Sequence, residues 1–477
     1  MDLGKTSELV KERVPKKCVF CFILVCGIIL SVFQIIRAND SNSESDSASE
    51  TKQSDNEKNV MNEEQKIIYQ KIKKTYDVEE QTDIAKALEE EKKCDNYTPE
   101  NMLIKYNPYG TNTLSLYVYF NTDSPVSVTY TVHVDDENIS DFIRTAYQDS
   151  AYQTEHECQV IGLIPNMTNT IIFTLTAEDG ETATYEKSYD MGSLYGEEDV
   201  KLDVETLGKS EQLEDGLYVI LGNDSTSMDF MYYYDNDGIL RGEIPILGYR
   251  SHRLLFDDAY MYYSISEKKI AQVNRLGQVT NILELGQYKL HHDYVFDDSG
   301  DILVLATDTT QDSVEDIVIK LDIDTGNVTE VVDLGDLLGD YKDICQKNSS
   351  DELDWIHINT IQYMTNDSIL LSSKETSTIL KINQITSSPT IEYMIGEKDV
   401  WEDTLYENLV LSKYGKFTIQ GGQHTVTYEE DSSLPEGQYY LYMFNNNIGI
   451  SETRPDYDWS LIGLTEAFAT KIVLFLY

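Results

Sequence analysis

The stretch Leu290-His291-His292-Asp293-Tyr294-Val295-Phe296-Asp297-Asp298-Ser299-Gly300-Asp301-Ile302-Leu303-Val304-Leu305 decides the fold. Apolar runs flank Asp298-Ser299-Gly300, a set of turn formers that lets the chain reverse, so the segment reads as two short strands. Two imidazoles sit at the entrance of the first. The layout returns upstream at His252-Arg253-Leu254-Leu255-Phe256 and downstream at His357-Ile358-Asn359-Thr360-Ile361 and His424-Thr425-Val426-Thr427-Tyr428. A histidine leads a strand each time. Short strands repeating at a period of roughly 40–65 residues are the signature of a β-propeller, since each sheet buries its faces only when neighbours stack on it. Equivalent strand starts gather at one end of the central channel, so these histidines are expected to converge.

The 477 residues suffice for a large core and two or three domains. A formal net charge of -47 argues against nucleic acid, whose phosphates need a basic surface, and requires any anion site to be locally basic. The 34 tyrosines suit aromatic-rich strands. Three of six cysteines (Cys18, Cys21, Cys26) fall in one apolar segment, which leaves Cys94, Cys158 and Cys345. That widely spaced trio makes neither a disulfide framework nor a zinc site, though one bridge is open to it.

Cys18 to Ile36 is almost uniformly apolar and, as a helix, about 28 Å long, close to a bilayer core. Lys11, Arg13, Lys16 and Lys17 precede it and an acidic tract follows, which puts residues 1–17 in the cytoplasm and the rest outside. Without a small-residue cleavage site after it, 18–36 reads as an uncleaved signal-anchor of a single-pass cell-membrane protein. Residues 37–96 read as a disordered tether followed by an amphipathic helix, a stalk or brace. The β-rich runs of 97–192 read as a small β-sandwich, and 205–477 as the propeller. Asp322-Ile323-Asp324-Thr325-Gly326 starts like a calcium loop, but its glycine is one place early, so it reads as a hairpin. Five blade-like units are countable before Asn447, so the last blade is expected to be incomplete.

His357 and Asn359, two apart on a strand, are expected to face the channel together. In Gly421-Gly422-Gln423-His424 the glycines permit a sharp turn or close approach to a ligand, and a neutral imidazole there is a nucleophile. Lys374 or a charged histidine nearby would keep it neutral. Clustered histidines also suit metals, but no His-x-His or His-x3-His pair occurs. No cofactor and no metal is expected.

The chain resembles the bacterial aryl-sulfate sulfotransferases that do not use an adenylyl-sulfate donor, from about Tyr97 to Trp459. The likeness is carried by Asn107-Pro108-Tyr109-Gly110-Thr111-Asn112, His156-Glu157, Gly162-Leu163-Ile164-Pro165-Asn166, His291-His292-Asp293, Asp354-Trp355-Ile356-His357-Ile358-Asn359, Ser372-Ser373-Lys374-Glu375-Thr376-Ser377 and Gly422-Gln423-His424, in that order. The resemblance implies an all-β chain, a six-bladed β-propeller preceded by a small β-sandwich. It implies ping-pong transfer in which His424 attacks the sulfur of an aryl sulfate, forms a sulfohistidine and passes the group to a phenolic acceptor. His291 or His292, His357 and Asn359 would supply donors to the sulfuryl oxygens, and a homodimer is compatible with it. Lys374 stands where the pattern calls for arginine; it keeps the charge but cannot hold two oxygens in a planar fork, so lower activity is expected. The competing readings are a truncated, non-catalytic propeller that binds a ligand or partner at the cell surface, and a metal-dependent hydrolase or lyase.

Overall fold

The computed structural model describes residues 61–147, 151–196, 198–202, 216–222, 229–415, 419–430, 432–435, 437–448, 451–457 and 468–474. The apolar segment 18–36 lies outside the described residues, and among those described no helix is long and apolar enough to cross a membrane.

The amphipathic spacing after Met61 produces two helices. Helix α1 (Glu63–Thr75) opens with a capping box, in which the Asn62 side chain accepts the Gln65 N–H and the Gln65 side chain accepts the Asn62 N–H. Helix α2 (Val78–Glu91) opens on Asp77, whose carboxylate accepts the N–H groups of Glu79 and Glu80. Long-range polar contacts anchor the pair. The Tyr76 hydroxyl donates to the Pro245 carbonyl at 2.6 Å, and Gln81 donates to the Tyr109 carbonyl at 2.9 Å while accepting the Val279 N–H at 3.0 Å. The helices therefore brace the first β domain against the second.

The first domain comprises β1 (Leu103–Tyr106), β2 (Ser115–His133), β3 (Phe142–Thr145), β4 (Gln153–Ile161), β5 (Thr168–Ala177) and β6 (Thr182–Asp190). Strand β2 is shared. Its first part pairs with β1 and β4, its second with β3 and β5, and its register to β4 shifts between Asn121 and Val126. The expected sandwich of two sheets is thus one hydrogen-bonded sheet curled about a long strand. Leu116, Val118 and Phe120 in its first part and Val128, Tyr130 and Val132 in its second keep the period of two and are all buried, with the exposed stretch 123–125 between the two parts.

Five antiparallel sheets follow in chain order. Sheet I holds β7 (Tyr218–Ile220), β8 (Asp229–Tyr234) and β9 (Leu240–Ile246), and sheet II holds β10 (Leu254–Phe256), β11 (Tyr260–Ser266), β12 (Lys269–Asn274) and β13 (Val279–Glu284). Sheet III holds β14 (Tyr288–Phe296), β15 (Ile302–Asp308), β16 (Ile317–Leu321) and β17 (Val328–Asp333); after the short helices α3 (Leu334–Leu337) and α4 (Gly339–Lys342), sheet IV holds β18 (Ile358–Met364), β19 (Ser368–Ser373), β20 (Thr378–Asn383) and β21 (Thr390–Ile395). Sheet V holds β22 (His424–Glu429), β23 (Tyr439–Asn445) and β24 (Phe468–Leu474).

The cores lie between consecutive sheets. Tyr262, Ile270 and Leu283 of sheet II meet Tyr294, Val304 and Ile317 of sheet III. Leu305 and Val318 of sheet III meet Leu371 and Ile382 of sheet IV, and Leu370 and Ile379 on the other face of sheet IV meet Val426 and Leu441 of sheet V. A sheet that is apolar on both faces needs a neighbour on each side, which is why the repeats stack. Six blades were expected; the described residues hold five such sheets. Strand β14 lies beside β18 and β18 beside β22, so the leading strands of sheets III to V are neighbours.

The segment resembling a calcium loop is a turn between β16 and β17, closed by Asp322 N–H to Asn327 O at 3.0 Å and Gly326 N–H to Asp322 O at 2.9 Å. Cys94, Cys158 and Cys345 are free thiols.

Candidate active site

Three leading strands lose register at an imidazole or directly after one. The pairing shifts between Leu290 and Tyr294 in β14, between Ile358 and Thr360 in β18, and between His424 and Thr427 in β22. Such irregularities twist a strand and re-aim its side chains. The backbone adds a second device: His292 (φ 52°), Glu315 (φ 57°) and His357 (φ 46°) all occupy the left-handed region without being glycine. Each costs about 1–3 kcal/mol, which the surrounding packing must offset. Among the described non-glycine residues with positive φ, these three have side chains that meet.

His292 is the centre of the cluster. Its ring centroid lies 4.9 Å from that of His357, 5.3 Å from His291, 6.3 Å from His424 and 6.4 Å from His252. All four strand-leading histidine sites therefore come together. His291 Nδ1 is 3.1 Å from His292 Nδ1. His357 Nδ1 is 2.7 Å from Asp354 Oδ2 and 3.0 Å from Glu315 Oε2, and the same Glu315 oxygen is 3.7 Å from His292 Nδ1.

The His424 side faces a rigid turn. Its Nδ1 lies 3.1 Å from the Gly422 carbonyl oxygen and 2.9 Å from the Asn446 amide nitrogen, which itself donates to that carbonyl at 2.7 Å. Gly422 has φ 54°, and its N–H donates to Ser377 Oγ at 3.0 Å. The fully buried Gln423 donates to Ser372 Oγ and the Ser373 carbonyl, both at 3.0 Å. The turn is thus held by sheet IV.

Asn359 and His357 do not share the strand geometry read from the sequence. His357 sits just before β18 with a left-handed backbone, and the register shift follows at once, so the alternation of faces fails there. Asn359 is buried and donates to the Gln423 carbonyl at 2.8 Å, which makes it a support for the turn that carries His424. Lys374 follows β19; its N–H donates to the His357 carbonyl at 3.0 Å and its ammonium is 3.8 Å from Glu375 Oε1. Glu315 and Asn446 were not legible as site residues, since neither stands in a motif. Asp354 stood beside His357 in a quoted motif without a role.

The arylsulfotransferase (ASST) family model matches residues 203–472, more than half of the chain, and the arylsulfotransferase Ig-like domain model matches residues 103–192. The chain belongs to the arylsulfotransferase family. The curled sheet of β1 to β6 is the Ig-like domain of this arylsulfotransferase, and the histidine cluster lies in its catalytic domain. Membership supports aryl sulfotransferase activity in general terms, with an aryl sulfate donor and a phenolic acceptor. No curated protein matches the chain. Among solved structures, a proposed 6-phosphogluconolactonase of Bacteroides uniformis is 12% identical over 67% of this chain and 75% of its own, with a TM-score of 0.29. Its counterpart from Bacteroides fragilis is 11% identical over 68% and 75%, with a TM-score of 0.28. A dihydro-heme d1 dehydrogenase is 8% identical over 64% and 49%, also at 0.28. These likenesses are too loose to bear on activity.

Electrostatically, the arylsulfotransferase cluster divides into neutral and charged imidazoles. Burial drives His424 down to about 4, with His357 and Lys374 adding to the effect, and burial drives His291 to about 3 and His252 to about 4. His292 is pushed well below the usual range by burial and by the neighbouring imidazoles. His357 is the exception. Burial pulls it down, but Asp354 and Glu315 outweigh that and raise it to about 9. Asp354 is held below the usual carboxylate range despite its burial, through His357, whereas Glu315 is raised by burial, with the like charge of Asp354 adding. One cationic and four neutral imidazoles result at neutral pH.

Proposed function

We propose that this chain moves a sulfuryl group from an aryl sulfate ester to a phenol by a ping-pong mechanism, with His424 as nucleophile. A neutral imidazole, held by the Gly422 carbonyl through Nδ1, beside the cations His357 and Lys374 carries the proposal. The Gly422 carbonyl can only accept and the Asn446 amide at 2.9 Å can only donate, so the two favour opposite tautomers of His424; attack uses the one with the proton on Nδ1, given to the carbonyl, which leaves the lone pair on Nε2. Nε2 bonds to sulfur as the S–O bond to the aryl oxygen breaks, and the phenolate leaves with that electron pair. The sulfohistidine is then attacked by the acceptor oxygen; the N–S bond breaks and its pair returns to Nε2. The proton the acceptor loses balances the one the departing phenolate takes up. His357, Lys374 and the N–H of His292 face the charge on the sulfuryl oxygens, so catalysis is chiefly positioning and electrostatic stabilisation. His292, rather than His291, is within ring contact of His424.

In this reading sheets I to V are consecutive blades of a six-bladed propeller, supported by the cores between successive sheets and by the meeting of the leading strands. The domain is extracytoplasmic and tethered by residues 18–36, a reading supported by the apolar run and its basic flank.

The test is a rapid-mixing experiment with 4-nitrophenyl sulfate on the detergent-solubilised full chain. A nitrophenol burst with a mass increase of one sulfuryl group is expected, and both should vanish in His424→Ala. A folded wild type showing neither burst nor adduct overturns the reading in favour of a binding module.

A further inference from the structure

Two carboxylates in the middle of an anion site are unexpected on electrostatic grounds, because each repels the sulfuryl oxygens. Both converge on one atom. Asp354 Oδ2 and Glu315 Oε2 lie 2.7 and 3.0 Å from the same nitrogen, His357 Nδ1. Asp354 arrives from the loop just before β18, while Glu315 arrives from the connection between β15 and β16, so different sheets contribute the two. Glu315 adopts its φ of 57° to do so, with its N–H on Thr307 Oγ1 at 2.9 Å. Nδ1 is hydrogen-bonded to Asp354 Oδ2, whereas Glu315 Oε2 has no hydrogen-bond partner among the described residues and faces the ring at ion-pair distance; a nitrogen so placed is a proton donor, and a donating Nδ1 leaves Nε2 on the far side of the ring.

We infer that Asp354 and Glu315 are positioning residues that keep His357 a doubly protonated imidazolium, so that its positive Nε2–H edge is presented to the sulfuryl group. The inference rests on the sulfuryl-transfer reading for the use made of that charge, not for its existence. Asp354 and Glu315 neutralise the imidazolium from behind and orient it, leaving the front edge as the donor. The other groups acting on His357 are Lys374 from the end of β19 and, more distantly, Glu375 beside it; His291, His292 and His424 are neutral and add no fixed charge at neutral pH. Lys374 opposes the cation, so the two carboxylates are what sustains it.

The experiment uses the full chain in detergent with 13Cε1-labelled histidine, the His357 signal being assigned by its loss in His357→Asn. In the wild type that signal should titrate near pH 9, whereas Glu315→Gln should lower the midpoint and Asp354→Asn should lower it further, the double variant bringing it to or below that of a free imidazole. Glu315→Asp, which retains the charge, should restore most of the shift. Binding of inorganic sulfate at pH 8 should weaken about tenfold in Asp354→Asn, the loss of one charged contact. A wild-type His357 that titrates between pH 5 and 7, or a midpoint unmoved in the double variant with its native melting transition intact, overturns the inference. So does a stoichiometric divalent metal that co-purifies with the wild type and is lost in Glu315→Gln, for the nitrogen would then be a ligand rather than a donor. If the titration behaves as expected but no sulfohistidine forms, the charged His357 stands and only the sulfuryl-transfer reading falls.

Discussion

At the scale of single residues, neighbouring imidazoles are held in different protonation states, and the proposed mechanism depends on that difference. His424 is buried against a carbonyl and stays neutral; His357, a few ångströms across His292, is buried against two carboxylates and stays charged. The pH dependence follows with definite signs. The proposed nucleophile His424 is lost only when pH falls through about 4, because its basicity is depressed, and the proposed cationic donor His357 is lost as pH rises through about 9, because its basicity is raised. Turnover of an aryl sulfate should therefore hold a plateau between those limits. Its alkaline limb should move toward neutrality in Asp354→Asn while the acid limb stays put. An acid limb near the ordinary histidine range would show that His424 is not the depressed, buried base described here. That His424 would stand on a turn beside the other histidines was legible from Gly421-Gly422-Gln423-His424. That Asn359 would brace its turn was not, because a register shift and a left-handed His357 break the alternation that the strand pattern assumes.

At the scale of elements, bulges and braces carry the load. The register shifts in β14, β18 and β22 fall at the histidines, so the same strands that build the stacked cores release their first residues to the site. On the other flank, α2 ties the Ig-like domain to sheet II through one side chain, since Gln81 bridges the Tyr109 carbonyl and the Val279 N–H. Gln81→Ala leaves both backbone groups buried without that partner. We expect a loss of about 2–4 kcal/mol, read as a lower denaturation midpoint with an unchanged slope. Sulfotransfer by the protein that remains folded should be unaffected, because the bridge touches no residue of the cluster. The amphipathic pattern announced a helix there; the buried glutamine that makes it a brace lies on a partner surface no local pattern describes.

At the scale of the whole molecule, the net charge of -47 sets the background against which an anion must bind. Surface carboxylates repel one another and the donor alike, and salt screens both effects. Raising ionic strength at neutral pH should increase the melting temperature and lower the KM for an aryl sulfate until the salt anion itself competes; a melting temperature that falls with added sodium chloride would contradict this. The sequence alone established the all-β class, the stacked repeats, the acidity and the histidines that lead four of the five repeats, because turn formers, strand periodicity and composition are local properties of the chain. Tertiary structure alone decided the rest: that the first domain is one curled sheet, that Glu315 from a loop without a motif reaches His357, and which imidazole is charged. Those outcomes depend on burial and on distances between segments remote in sequence, and a protonation state is set by the sum of such neighbours rather than by the residue that bears it.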